Sequence, residues 1–155
     1  MARQHSRKVL VETRIGLIAR ADNSGLGVQT AEFARHMQPN KTLVIDVSHL
    51  QNATDHCNKA TYLDRYSAAT VYRGWTPDPH LLTQFLRELD VVFSAETFYS
   101  DSFVSLAQRM GVRTVLQPNW EFMPLHKPQP DMLAVPSLWH WDEYPANKTY
   151  LPVPQ

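Results

Sequence analysis

The chain has 155 residues, enough for one domain whose core needs no covalent staples. Fifteen basic side chains balance fifteen acidic ones, and this zero net charge argues against the basic footprint of a general nucleic-acid binder. A hydrophobic share of 43% and one cysteine, Cys57, describe a globular chain with no internal disulfide and no cysteine-built metal site.

Residues 1–13 form a basic amino-terminal arm or an edge strand, with Arg3, Arg7 and Lys8 ahead of the short apolar run Val9-Leu10-Val11. No apolar run reaches membrane-spanning length, and no signal peptide is evident, so a cytoplasmic protein is the expectation. Residues 15–19 (Ile-Gly-Leu-Ile-Ala) read as a buried parallel strand. A polar turn follows, and residues 25–36 repeat apolar positions at helical spacing, with Ser24 placed to cap the helix. Pro39-Asn40 stops it. Residues 41–47 are a β-branched second strand with Asp46 near its end. Residues 48–69 are polar and poorly periodic, a short helix or a long loop.

Residues 70–73 read as a third strand, closed by Gly74 and a Pro77-Asp78-Pro79 turn. Residues 80–89 carry one apolar helical face, and 91–94 form a strand. The next helix spans 100–110, capped by Ser100 or Asp101 and ended by Gly111. Residues 112–116 are another strand, 132–135 a last one, and 138–144 a helical turn. The end, from Tyr150, is extended because its prolines restrict the backbone. This alternation predicts an α/β fold: a three-layer Rossmann-like domain over 14–155 with a mostly parallel sheet. The strand order is expected to reverse beside the first strand and open a crevice there.

Three groups stand where such a crevice would lie. Asn23, Gly25, Leu26 and Gly27 follow the first strand; the glycines permit positive φ and close approach, and the helix behind them offers free N–H groups to an anion. The pattern lacks the third glycine of the dinucleotide fingerprint and the Gly-Lys-Ser or Gly-Lys-Thr of a P-loop. A purely structural turn built on Asp22 explains it equally well. Glu96 follows the strand at 91–94 and is the candidate catalytic carboxylate, placed to accept a hydroxyl proton, or else a helix cap. Asn119, Trp120 and Glu121 leave the strand at 112–116, where an indole, an amide and a carboxylate suit a sugar ring; Trp120 serves equally as core. His140, between Trp139 and Trp141, is a polar handle in an aromatic patch or simple packing. His49 and His56 near Cys57 match no zinc spacing.

Asp22-Asn23-Ser24-Gly25-Leu26-Gly27, Asp90-Val91-Val92-Phe93 and Gly111-Val112-Arg113-Thr114-Val115-Leu116 resemble the amino-terminal domain of GT-B fold glycosyltransferases. So do Val135-Pro136-Ser137 and Tyr150-Leu151-Pro152-Val153-Pro154. The group they most resemble is the retaining enzymes of the glycogen synthase and sucrose synthase type. The resemblance implies two Rossmann-like domains across a cleft, the amino-terminal one holding the acceptor. It implies that Gly25 and Gly27 approach the donor diphosphate, and that Glu96 and Asn119 contact the acceptor. It implies a nucleotide-sugar donor, no permanently bound cofactor and no metal. This chain departs from the family in ending before a donor-binding half. The expected partner is therefore a second Rossmann-like domain, a separate subunit or another copy covering the cleft face, with Trp75, Trp139 and Trp141 as surface candidates. The alternative is a non-catalytic interaction or structural protein that keeps the half fold; a third is an isolated nucleotide-binding domain.

Overall fold

Side chains on successive strand positions point to opposite faces, so a strand buried on both must be apolar throughout. β1 (Ile15–Arg20), β2 (Lys41–Asp46) and β4 (Val91–Ala95) come near that condition, with Arg20, Lys41, Thr42, Asp46 and Ser94 as their polar members, and lie inside the sheet. The computed structural model describes residues 12–47, 64–66, 69–120, 128–145 and 147–153. The sheet also holds β3 (Ala69–Arg73), β5 (Arg113–Gln117), β6 (Met132–Val135) and β7 (Lys148–Tyr150). The order is β3-β2-β1-β4-β5-β6-β7 and every pairing is parallel. The domain is α/β and Rossmann-like. The order reverses between β1 and β4, as expected from sequence.

Two apolar layers flank the sheet. Leu17, Ala19, Val44 and Phe93 face α1 (Gly25–Met37), whose Phe33 packs on Phe93 with ring centroids 4.7 Å apart. Ile18, Leu43, Ile45, Val92 and Leu116 face the other way. They meet Leu82, Phe85 and Leu86 of α2 (Pro79–Leu86) and Phe103 and Ala107 of α3 (Phe103–Arg109).

Several boundaries differ from the sequence reading. The sheet is wholly parallel among the described residues. It gains β7, an edge strand whose residues are half-buried or exposed and so carry no apolar signature. α2 stops at Leu86 rather than residue 89, because Glu88 turns at φ 68° while Leu89 still enters the core. α3 begins at Phe103, with Ser102 in the cap position and no side-chain cap bond, so neither Ser100 nor Asp101 caps it. Gly111 does follow that helix with φ 74°. The turn at 138–144 is a short 3-10 helix, Trp141–Glu143. The expectations for Val9-Leu10-Val11, for residues 48–63, for Cys57 and its neighbouring histidines, and for Glu121 lie outside the described residues.

Candidate functional site

The loop after β1 is tied to itself. Ser24 Oγ accepts from the Gly27 amide at 3.2 Å, the cap expected from sequence. Asp22 is buried, and its Oδ1 accepts from the Ser24 amide at 3.1 Å, an Asx turn, as well as from the Ser24 hydroxyl. The other oxygen, Oδ2, pairs with Arg20 at 2.5 Å. Asn23 Oδ1 accepts from Arg65 at 2.8 Å, and Arg65 also donates to the Asp22 carbonyl at 3.0 Å.

Gly25 and Gly27 do not adopt positive φ. Both lie in the first turn of α1, so their backbones are helical. The close approach at Gly27 is to its own chain: a Cβ there would meet the Asp22 carbonyl oxygen at 1.8 Å. A Cβ on Gly25 would meet nothing within 4 Å. Leu26 is buried under the loop.

Arg20, at the end of β1, carries this network toward the neighbouring strand ends. Arg20 lies under the half-exposed Trp75 ring at 5.1 Å, and beside Tyr99 from the loop after β4. Burial works against the Arg20 charge, but Tyr99 and Asp22 outweigh it and hold its pKa above the ordinary value. Burial pushes the Tyr99 phenol well above its usual range, against the opposing pull of Arg20. Tyr66, also raised by burial, donates to the Arg20 carbonyl at 2.9 Å.

The open cavity lies one step across the sheet, over the carboxyl ends of β4, β5 and β6. Its volume is about 380 Å³. Glu96 reaches it from β4, with φ 63° and its amide donating to the Gln117 carbonyl at 2.8 Å. Gln117, Asn119 and Trp120 come from the end of β5, and Ser137, Trp139 and His140 from the segment after β6. Gln117 is buried, bonds to Gln29 of α1, and donates to the Leu151 carbonyl at 3.1 Å. It thereby ties α1 and the segment after β7 to the cavity floor.

The aromatic wall is a stack. The His140 ring lies on Trp120 at 4.4 Å and 3°, and on Trp139 at 4.8 Å and 23°. Tyr144 meets Trp120 edge-on at 5.1 Å. His140 Nδ1 is 2.6 Å from Glu143 Oε1. One face of Trp120 is therefore covered by imidazole, while Trp139 is 78% exposed and keeps an open platform.

Of the residues singled out from sequence, Glu96, Asn119, Trp120, Trp139 and His140 line this one cavity. Asn23, Gly25, Leu26 and Gly27 are not among its lining residues. Gln29, Gln117 and Ser137 line it without having been singled out. Gln117 left a trace: a polar residue closing an apolar strand just where strands deliver their ligand groups. A larger cavity of about 750 Å³ runs along α1 and the start of β2 and includes none of the predicted residues. No cluster of three or more metal-ligating side chains occurs among the described residues. No helix there is long and apolar enough to cross a membrane.

No family model and no curated protein matches the chain. Among solved structures, a protein from Leishmania major assigned as a Mar1 ribonuclease aligns at TM-score 0.44 with 10% identity over 68% of this chain. A wide-type short-chain dehydrogenase/reductase from Veillonella parvula, solved with NADP, aligns at 0.40 with 16% identity over 67%. The chain spans 63% and 46% of the lengths of these two proteins.

Proposed function

We propose that this chain is the acceptor-side half of a glycosyltransferase, and that the cavity over β4, β5 and β6 holds a hydroxyl-bearing acceptor. The supporting observation is the lining of that cavity. A carboxylate, Glu96, and two amides, Gln117 and Asn119, line it together with the Trp120–His140–Trp139 stack. Sugars bind through such a combination, with hydroxyls on polar groups and the C–H face of the ring on an indole. In the proposed reaction Glu96 accepts the hydroxyl proton as the oxygen attacks the anomeric carbon of a nucleotide sugar. The nucleoside diphosphate leaves with the bonding electron pair. The loop of Asn23, Gly25, Leu26 and Gly27 contributes on the donor side only through the end of α1 left exposed at Gly25. The Gly27 amide is already taken. A second Rossmann-like domain, on another subunit or another segment, supplies the donor site.

The exposure of Trp75, Leu138 and Trp139 favours a second reading, a non-catalytic interaction protein built on the same half fold. Titration of the full chain with maltotriose, methyl α-glucoside and UDP-glucose separates the two, read by NMR and tryptophan emission. Saturable binding of a free sugar that perturbs the indole signals of Trp120 and Trp139 supports the acceptor reading. Indifference to all three favours the interaction protein. Tight binding of the nucleotide part alone favours an isolated nucleotide-binding domain.

A further inference from the structure

The geometry points to His140 and Glu143 as an oriented pair: Glu143 holds Nδ1–H, and Nε2 accepts a hydrogen bond from a hydroxyl of a polyol lying in the β4–β6 cavity. The inference rests on the acceptor reading above and adds to it a second hydroxyl-binding group and a ring platform.

Four observations carry it. First, His140 is clamped. Its ring is sandwiched between Trp120 and Trp139, so its plane is set by packing and not by its own rotamer preference. Second, its backbone is committed. His140 stands at φ 59°, in the left-handed region that non-glycine residues adopt at a cost, and it heads the 3-10 turn that carries Glu143. That turn places Glu143 three residues on, with Oε1 2.6 Å from Nδ1. Third, a carboxylate accepts but does not donate. The 2.6 Å contact therefore requires the proton on Nδ1, which in the neutral ring leaves Nε2 with a lone pair. Fourth, the two nitrogens flank Cε1 with in-plane directions that diverge widely, so Nε2 does not face the carboxylate that Nδ1 meets. Glu143 takes one edge and is itself largely solvent-exposed, whereas His140 lines the cavity. Among the described residues the His140 ring makes its hydrogen bond through Nδ1.

An aromatic stack needs no histidine, and a histidine needs no carboxylate to stack. The conjunction is what the packing reading leaves unexplained. With Trp139, 78% exposed, stacked on the same imidazole, the site suits a ligand that pairs an apolar ring face with an equatorial hydroxyl. A pyranose does so. A planar nucleobase would use the platform but would bring fewer hydroxyls to Nε2 and to Glu96.

Two measurements on the full chain test this. The first is a long-range 1H–15N correlation spectrum of the imidazoles, with His140 assigned from the signal missing in His140→Phe. The expected result is the Nδ1-protonated tautomer, lost in Glu143→Ala; a ring protonated mainly on Nε2 overturns the proposal. The second is titration of wild type and His140→Phe with maltotriose and methyl α-glucoside, after circular dichroism shows the variant folded. Phenylalanine keeps the stack and deletes the acceptor, so the expected loss is about tenfold in affinity, the worth of one hydrogen bond. Sugar binding that is equal in both proteins overturns the His140 proposal and leaves the acceptor reading standing. A wild-type chain that binds neither sugar overturns the acceptor reading and the ligand assignment with it, whatever the tautomer.

Discussion

A Cβ built on Gly27 would stand 1.8 Å from the carbonyl oxygen of Asp22. The obstacle is backbone, held by the Arg65 bond to the same carbonyl and by the Asx turn, so it has no cheap way to move. Gly27→Ala is expected to cost about 3 kcal/mol or more. Gly25→Ala meets nothing within 4 Å on a helical backbone and is expected to be neutral or to stabilise by about 0.4–1 kcal/mol. Urea unfolding of the two variants checks the contrast. It also decides which glycine can probe ligand binding. A bulky or acidic residue at Gly27 would report on folding, whereas one at Gly25 would report on the end of α1.

The Asp22 carboxylate and the Arg20 guanidinium are both largely buried at the switch point. Asp22→Ala is expected to destabilise by about 3–5 kcal/mol, because it strands the arginine charge and removes the Asx turn together. Replacing both residues is expected to cost less than the sum of the single changes. A double-mutant cycle by denaturant titration measures the difference; additive costs would show that the pair acts as two independent residues.

These two residues also show where the sequence was legible and where it was not. β1, β2 and β4 are buried along most of their length, β5 and β6 behind an exposed first residue, and the apolar stretch inside each announces such a strand wherever it packs. Among the described residues, Glu96, Asn119 and Trp120, expected just past carboxyl ends of strands, do lie at one edge of the sheet. β7 was hidden because its residues are mostly exposed. It is held by backbone bonds to β6, such as the Leu133 amide on the Asn147 carbonyl at 2.8 Å. Gly27 was read as open to a ligand, since a glycine in sequence marks close approach without saying to what. The aromatic patch around His140 was legible from Trp139 beside it, but its stacking on Trp120 was out of reach for a related reason. It forms when the segment after β6 folds back over the exit of β5, and no local pattern encodes that crossing.

Asp131 anchors the start of β6 to β5. Burial alone would raise its pKa, but bonds from the Thr114 amide (2.8 Å) and hydroxyl (2.9 Å), joined by Arg113, outweigh it and hold the carboxyl below its usual value. A depressed folded-state pKa means the contribution is complete above the unfolded value, roughly pH 4, and is lost as pH falls through the folded value. Asp131→Asn is expected to lower stability at neutral pH by about 1–2 kcal/mol and to flatten the acid limb below about pH 4. Thermal unfolding across pH reads both. An unchanged acid limb would assign that loss to other carboxylates.

Trp120 and Trp139 flank the same imidazole but differ in burial. Trp120 is partly buried against the core, and Trp139 is 78% exposed. Trp120→Ala is expected to cost about 2–4 kcal/mol of stability, and Trp139→Ala less than about 0.5 kcal/mol. If Trp139 is the platform for a sugar ring, its loss should weaken maltotriose binding severalfold in a protein of normal stability. Equal stability losses would mean that the stack is packing from end to end.

Glu96 carries the sharpest separation of stability from function. Its φ of 63° sits in the left-handed region, where a non-glycine residue is strained by about 1–2 kcal/mol and asparagine fares better. Glu96 stands at the end of a central strand with its amide bonded to the Gln117 carbonyl, a bond that does not depend on the side chain. Glu96→Asn trades relief of that strain against the contacts of the carboxylate, so stability is expected to change by no more than about 1 kcal/mol in either direction. The same change removes the carboxylate from the cavity, and sugar affinity should fall by about tenfold. Paired unfolding and titration experiments give the answer. A variant that is less stable and binds equally well would make Glu96 a structural carboxylate.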